Sequence, residues 1–149
     1  MDLADPIQPE HILKGHSGPL TSITINPFRR NVMISGSADQ NVHVWDINAL
    51  SLVDQIAIGQ GEIQNLKWSP TEESHFLSHS GSNVLQLYDL KASSKAVSNL
   101  NFNKAPIDSI EFNSKNPQQF FVGSEDGRIS LMDIRMISNK PLFSIQAHG

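Results

Sequence analysis

Short runs of alternating apolar and polar residues follow one another along this chain, and turn-forming residues separate them. In the first part of the chain, such runs lie at 20–25, 32–34 and 42–45, with Asn26-Pro27 and the segment 36–39 between them. This alternation and punctuation are typical of short strands joined as antiparallel hairpins. No segment keeps a helical period over about 11 residues or more, so the pattern predicts an all-β fold.

The same pattern recurs twice without a gap. A shift of 43 residues places 16–46 on 59–89, and a shift of 87 residues places it on 103–133. A further start, Ala147-His148, follows the third copy. Self-similarity at this period is typical of repeated β units. The apolar residues Leu20, Ile23 and Ile25 fall on Ile63, Leu66 and Trp68, and then on Ile107, Ile110 and Phe112.

The first copy opens with Gly15-His16 and closes with Trp45-Asp46. These two pairs resemble the Gly-His and Trp-Asp pairs that characterise one unit of the WD-repeat family. The resemblance implies an all-β fold of antiparallel four-stranded blades from a WD-repeat β-propeller, with about three blades present as a partial propeller. The closing pairs of the other two copies are Tyr88-Asp89 and Met132-Asp133.

The copies define the predicted organisation of the chain. We expect an N-terminal leader at 1–9 and a partial propeller over 10–149. The propeller would consist of an outer strand at 10–14 and blades at 15–58, 59–102 and 103–146. The predicted strands lie at 20–25, 32–35, 41–46 and 51–58, at 63–68, 75–78, 84–89 and 96–101, and at 107–112, 119–123, 128–133 and 141–146.

Three predicted blades are few for a closed propeller ring. Propellers typically arrange about 4–8 blades around a channel, and three blades do not readily close such a ring. An open stack exposes apolar faces and sheet edges, which favour association. We therefore expect further blades, self-association or a partner chain to complete the propeller.

Composition excludes several classes of function. The net charge of −4 argues against nonspecific nucleic-acid binding, which needs basic patches. The chain has no cysteine, so disulfides and thiolate metal sites are excluded. The first ten residues are acidic and lack an apolar core, and no apolar run has the length of a membrane span. We expect a cytoplasmic or nuclear location, or both.

Four residues of the first copy match the hydrogen-bonded tetrad of WD repeats: His16, Ser35, Asp39 and Trp45. In the implied relay, Asp39 accepts from the imidazole, the imidazole bonds the Ser35 hydroxyl, and that hydroxyl accepts from the indole N–H. Serine, histidine and aspartate also form hydrolase triads, but a nucleophilic serine must be exposed beside an oxyanion hole. The resemblance places Ser35 inside a blade, so we expect a structural tetrad and no catalytic residues.

The other copies keep little of this tetrad. The second retains the serine as Ser78, and the third retains the aspartate as Asp126. Because the apolar positions persist in both, we expect these blades to depend on apolar packing.

Two shorter motifs and the histidines are further candidate sites. Asp133 and Arg135 match part of the Trp-Asp-x-Arg box by which WD-repeat substrate receptors dock the adaptor of cullin-type ubiquitin ligases. The segment 28–30 (Phe-Arg-Arg) resembles a phosphoinositide-binding motif of some propellers, but a solvated hairpin turn fits it better.

The six histidines lack the spacing of a zinc site. No Gly-rich phosphate loop of the GxxxxGK type occurs, so we expect neither a metal nor a cofactor.

Loops of successive blades would meet on one face of a rigid scaffold, where binding residues usually lie. We predict a non-enzymatic protein–protein interaction scaffold, a subunit or adaptor of a multiprotein complex, whose mildly acidic face favours partners with basic segments. The alternatives are a substrate receptor of a cullin-type ubiquitin ligase and a structural subunit of a vesicle-coat or chromatin assembly. The predicted partner-binding face consists of Pro19, Ala38, Glu62, Gly81, Pro106 and Glu125.

Overall fold

The computed structural model describes residues 10–59, 61–80, 84–91, 96–101, 105–136 and 141–147, with the side chains of 96–101 and 136 excepted. These residues form three four-stranded antiparallel sheets, each with its strands in chain order, here called blades 1, 2 and 3. A short 3₁₀ turn, Ile134–Met136, follows the third strand of blade 3. The strands are β1 Leu20–Ile25, β2 Val32–Ser37, β3 Asn41–Asp46, β4 Ser51–Ala57, β5 Ile63–Trp68, β6 His75–Ser80, β7 Val84–Asp89, β8 Ala96–Asn101, β9 Ile107–Phe112, β10 Gln119–Ser124, β11 Arg128–Asp133 and β12 Phe143–Gln146.

The predicted all-β class and the three four-stranded blades are confirmed. The second strand of each blade runs one or two residues further than predicted. The reason is an irregularity in register near the start of each first strand, which lets the pairing continue; in blade 1 it continues through Gly36 and Ser37, the residues that suggested a turn. Leu20 thus pairs with Ser37, and Ile63 pairs with Ser80.

The prediction of an outer strand at 10–14 is wrong, because residues 11–16 form no strand. A strand needs a neighbour with which to exchange backbone hydrogen bonds. None of the strand pairings among the described residues involves this segment. The predicted leader at 1–9 lies outside the described residues.

The blades are joined by apolar packing between their faces. Leu66 and Trp68 on β5 are buried in one cluster with Ile34 and Val44 of blade 1. On β9, Ile110 is buried in a second cluster with Leu77, Leu85 and Leu87 of blade 2, and the partly buried Phe112 packs against this cluster. Burying a side chain of this size contributes about 1.5–3 kcal/mol. The recurring apolar positions of the sequence are therefore the residues that hold neighbouring blades together.

The blades stack in the same orientation. Near the ends of β1 and β5, the Trp68 indole N–H donates to the Thr24 carbonyl at 3.3 Å, and the Asn26 amide donates to the Glu73 carbonyl at 2.8 Å. Lys67 Nζ and Glu111 Oε2 lie 3.4 Å apart and link β5 to β9. Blade 3 therefore has the same orientation relative to blade 2 as blade 2 has relative to blade 1. We call the end at which β1, β5 and β9 begin the entry end, and the opposite end the exit end.

Candidate functional site

The four tetrad residues of blade 1 form a continuous hydrogen-bond relay. The Trp45 indole N–H donates to Ser35 Oγ at 2.8 Å, and Ser35 Oγ lies 2.7 Å from His16 Nε2. His16 Nδ1 lies 2.9 Å from Asp39 Oδ2. An ionised carboxylate only accepts, so Nδ1 carries a proton in this arrangement, and in the neutral imidazole Nε2 then accepts from the Ser35 hydroxyl.

Asp39 also fastens the backbone around the relay. Its carboxylate accepts the Ser17 N–H at 3.0 Å and the Asn41 N–H at 2.9 Å. Burial acts to raise the pKa of Asp39, but the hydrogen bonds from His16 and from the two N–H groups outweigh it and hold the pKa below its ordinary value. The carboxylate is therefore ionised at neutral pH, and it joins the loop before β1 to the turn after β2.

A second imidazole, His43, lies against the relay. Its ring stacks on that of His16, with the centroids 3.7 Å apart and the planes 11° from parallel. The side chain is buried, and neither ring nitrogen has a hydrogen-bond partner. Burial and the nearby His16 both lower the pKa of His43, while Asp39 opposes them. The sequence analysis missed this contact, although the two-residue period of β3 places His43 on the same face as Trp45.

The donor atoms of His16, Asp39 and His43 lie within 4.8 Å of one another. Two imidazoles and a carboxylate are ligands that zinc accepts. Here, however, both nitrogens of His16 are engaged, with Asp39 and with Ser35. Because the two rings are stacked in parallel planes, their in-plane lone pairs do not converge on one point. The arrangement fits a hydrogen-bond relay better than a metal centre.

The same connectivity of serine, histidine and aspartate occurs in hydrolase triads. Ser35 differs from a nucleophile in its surroundings. Its side chain is only 2% exposed, and the Trp45 indole N–H is already bonded to its oxygen. A reacting carbonyl carbon needs open access to that oxygen, so the geometry favours a structural role.

Blades 2 and 3 contain only fragments of the relay. Ser78 is fully buried, and its hydroxyl has no hydrogen-bond partner. Asp126 is exposed and accepts from the Ser124 hydroxyl at 2.8 Å and from the Arg128 N–H at 3.1 Å. The Ser124 hydroxyl is the main cause of the lowered pKa of Asp126. Blade 1 alone therefore holds all four members of the relay in place.

Asp133 and Arg135 lie at the exit end, where β11 passes into the 3₁₀ turn. The guanidinium donates twice to the carboxylate, from Nε at 3.0 Å and from Nη2 at 2.6 Å. These bonds lower the pKa of Asp133 and raise that of Arg135. Asp133 is buried, whereas 67% of the Arg135 side chain is exposed. The pair therefore presents a fixed positive group at this end.

The segment 28–30 is the turn between β1 and β2, also at the exit end. Asn26 Oδ1 accepts the N–H groups of Phe28 and Arg29 at 2.8 and 3.0 Å. Arg29 forms an ion pair with Glu73 of blade 2. This arginine is thus engaged in a contact between blades.

Residues of the predicted partner-binding face lie at the entry end. The Ala38 N–H donates to the Pro19 carbonyl at 3.0 Å in blade 1, and the Glu125 N–H donates to the Pro106 carbonyl at 3.0 Å in blade 3. Glu62, just before β5, holds the place that Pro19 holds before β1. Pro19, Glu62 and Glu125 are exposed, and Ala38 and Pro106 are half-buried. Gly81 lies outside the described residues.

Comparison with known proteins agrees with this geometry. The family model "WD domain, G-beta repeat" matches residues 7–46, the segment that contains the whole relay. Residues 7–46 are thus a WD repeat, and the relatives of the chain include a protein that is named for its WD40 repeats. The repeat unit of this chain recurs in blades 2 and 3, where fewer of the characteristic residues remain.

Several curated proteins are similar to this chain. "Cytoplasmic dynein 2 intermediate chain 2" of Homo sapiens is 27% identical over 122 residues, which cover 80% of this chain and 23% of that protein. "RbAp48-related WD40 repeat-containing protein prw1" of Schizosaccharomyces pombe is 26% identical over 153 residues, 96% of this chain and 35% of that protein. "Guanine nucleotide-binding protein subunit beta" of Oryza sativa subsp. japonica is 29% identical over 132 residues, 83% of this chain and 34% of that protein.

The alignments cover only part of these relatives. This chain spans about a quarter to a third of their length. Among the residues that the structure describes, no helix has the length and hydrophobicity needed to cross a membrane.

Proposed function

We propose that this WD-repeat protein is a non-enzymatic interaction scaffold that serves as a subunit or adaptor of a multiprotein complex. The observation that carries the proposal is the repeated loop geometry of the entry end. In blades 1 and 3, the residue before the first strand and the turn after the second strand are joined by the same backbone hydrogen bond. Because the blades stack in one orientation, the described residues just before β1, β5 and β9 all lie at this end, and binding residues usually lie on such loops.

The relatives support a role in protein complexes. Their names describe a chain of dynein, a subunit of a guanine nucleotide-binding protein and, in Candida glabrata, a subunit of a histone acetyltransferase. We infer a similar role as a component of an assembly, in the cytoplasm or the nucleus. The buried Ser35 supports the non-enzymatic part of this proposal.

The negative charge of the entry end supports partners with basic segments. Glu62 and Glu125 are exposed there, and the chain as a whole carries a net charge of −4. Complementary potentials speed association and select partners. We propose that basic segments of other proteins dock on this end.

Affinity capture with matched charge variants tests this proposal. The bait proteins are the unmodified chain, the double variant Glu62→Lys/Glu125→Lys, and the single variant Glu72→Lys in the exposed exit-end loop between β5 and β6. Proteins captured from cytosolic and nuclear extracts are quantified by mass spectrometry. We expect the double variant to lose partners that Glu72→Lys retains, whereas equal capture by all three baits would contradict a role for the entry end.

A second candidate function is that of a substrate receptor for a cullin-type ubiquitin ligase. It is favoured by the exposed Arg135 guanidinium, which Asp133 holds in a fixed orientation at the exit end. In the same capture experiment, Arg135→Ala would remove a ligase adaptor while leaving the entry-end partners bound. Capture without any ligase adaptor on the unmodified bait would contradict this candidate.

A further inference from the structure

His43 is a buried titratable group that takes no part in the hydrogen bonds of the relay. Its side chain is only 1% exposed, and within the described part of the chain neither ring nitrogen has a hydrogen-bond partner. Burying polar atoms without partners costs stability. The corresponding residue of blade 2 is the buried Gln86. The fold thus accepts a residue that cannot titrate at this position, and the imidazole of blade 1 needs a further reason.

The loop before β1, residues 15–19, closes over the His43 ring. The His16 ring lies nearly parallel to it, with the centroids 3.7 Å apart. A Cβ built on Gly15 would lie 3.0 Å from Trp45 Cη2 and 3.1 Å from His43 Nδ1, so the backbone at Gly15 approaches both rings closely. Movement of this loop would therefore expose the nitrogens of His43 to water.

Three hydrogen bonds hold this loop in the closed position. His16 is bonded to Asp39 at 2.9 Å and to Ser35 at 2.7 Å, and the Ser17 N–H donates to Asp39 at 3.0 Å. Because each of these bonds involves His16 or Ser17, movement of the loop releases all three. Pro19, a residue of the predicted partner-binding face, lies in the same loop. The position of the loop therefore affects the surface that blade 1 presents at the entry end.

A positive charge on His43 opposes the closed position. An imidazolium buried without acceptors loses its hydration and gains nothing in return. Burial and His16 of the loop lower the pKa of His43, and Asp39 of the turn after β2 raises it. Opposite His43 on the neighbouring strands β2 and β4 stand Ser35 and Gln55, which carry no charge. Protonation thus favours the state in which the loop has opened and the ring is in water.

We infer that proton uptake by His43 opens the loop before β1 and thereby weakens partner binding at the entry end at acidic pH. The effect on binding rests on the proposed function of the entry end, whereas the opening itself does not. At neutral pH His43 is uncharged and the loop remains closed. Because the open loop binds this proton more tightly than the closed loop does, opening becomes more favourable as the pH falls through 6.5, the ordinary pKa of histidine.

Amide hydrogen exchange followed by NMR tests the opening. The reporter is the Ser17 N–H, which donates to Asp39 and is released when the loop opens. Its protection factor, corrected for the intrinsic effect of pH on exchange, should fall by up to about tenfold between pH 7.5 and pH 5.5, since one proton is taken up. The control is the Arg128 N–H, which donates to Asp126 in the corresponding turn of blade 3 and should keep its protection.

The variant His43→Gln separates the effect of this residue from that of acid in general. Glutamine is the residue of blade 2 at this position, and it does not titrate, so the protection of Ser17 should be the same at both pH values. A dependence on pH that persists in this variant would overturn the inference. In the unmodified chain, so would a constant protection of Ser17, or a protection equal to that of the buried Val44 amide, because the loop would then open only with the whole fold.

The affinity for a partner tests the consequence for binding. The probe is the purified protein that the unmodified chain captures most strongly and the Glu62→Lys/Glu125→Lys bait loses. We expect its Kd to rise between pH 7.5 and pH 5.5 by a larger factor for the unmodified chain than for His43→Gln. Equal factors for the two proteins would overturn the regulation of binding. The proposed function would be contradicted in a different way, by equal capture on all baits, which leaves the protection of Ser17 unaffected.

Discussion

A single carboxylate, Asp39, links three parts of blade 1. It accepts hydrogen bonds from His16, from the backbone of the loop before β1 and from the backbone at the start of β3. Its counterpart in blade 3, Asp126, is exposed, and its carboxylate accepts from Ser124 and Arg128 of its own turn. The same residue type at the same repeat position therefore contributes differently in the two blades.

Asp39→Ala should destabilise the fold by about 1–3 kcal/mol, because it leaves the ring N–H of the largely buried His16 without its acceptor. Asp126→Ala should cost less, because water can replace an exposed acceptor. Urea denaturation of the two variants beside the unmodified chain measures the difference. Equal losses for the two variants would contradict a specific role of the relay in stability.

His43 predicts a dependence of stability on pH. Its folded pKa is lowered from the ordinary value of 6.5, so the unfolded chain takes up this proton more readily than the fold does. The contribution of neutral His43 to the free energy of unfolding is therefore complete above pH 6.5 and is lost as the pH falls below it. The unfolding free energy should therefore decrease between pH 7.5 and pH 5.5.

The matched variant is His43→Gln, because glutamine occupies the corresponding position of blade 2 as buried Gln86. The variant cannot titrate at this position, and it should lose less stability than the unmodified chain over the same pH interval. Urea denaturation at the two pH values gives both differences. Identical losses in the two proteins would show that His43 is not the titrating group.

At the scale of strands and blades, Gly36 and Gly123 provide a matched pair. A Cβ on Gly36 would overlap Ile63 Cγ2 and lie 2.8 Å from Ile63 Cβ, inside the packed interface between blades 1 and 2. Overpacking of this kind costs about 1–3 kcal/mol, so Gly36→Ala should be clearly destabilising. Gly123→Ala should be nearly neutral for folding, because only the rotatable Ser109 hydroxyl is close. Thermal or urea denaturation tests the contrast, and equal costs would contradict this description of the interface.

Most of the strand arrangement could be predicted from the sequence, because it follows from local features. The two-residue alternation fixes which residues share a face, and the turn residues fix where hairpins reverse. The predicted starts of β1, β5 and β9 agree with the structure. The extension of β2 to Ser37 was missed, since it depends on an irregular register with Leu20 that no local pattern reveals.

The non-local features were harder to predict. The strand expected at 10–14 is absent. A short segment forms a strand only where a neighbouring strand pairs with it, and the sequence of the segment alone does not identify that neighbour. The resemblance to WD repeats indicated which side chains of the tetrad would meet, but it gave no information on His43. That contact follows from the register of β2 and β3, which places Ser35 opposite His43 and brings the second imidazole over the relay.

At the scale of the whole molecule, the common orientation of the blades separates two surfaces. The entry end presents exposed Glu62 and Glu125, and the exit end presents Glu72, the Arg29–Glu73 ion pair and the Asp133–Arg135 pair. The proposed scaffold function assigns partner binding to the first of these surfaces. Its described residues adjoin the relay of blade 1 and the packed interfaces between the blades.

The most direct test measures association rates of a captured partner at low and at physiological salt. Charges at the edge of an interface act mainly on the association rate, so Glu125→Lys should slow association and weaken its dependence on salt. Glu72→Lys makes the same charge change at the exit end and should behave as the unmodified chain does, and neither variant should alter the melting temperature appreciably. An association rate that neither salt nor Glu125→Lys affects would contradict binding of a basic partner at the entry end.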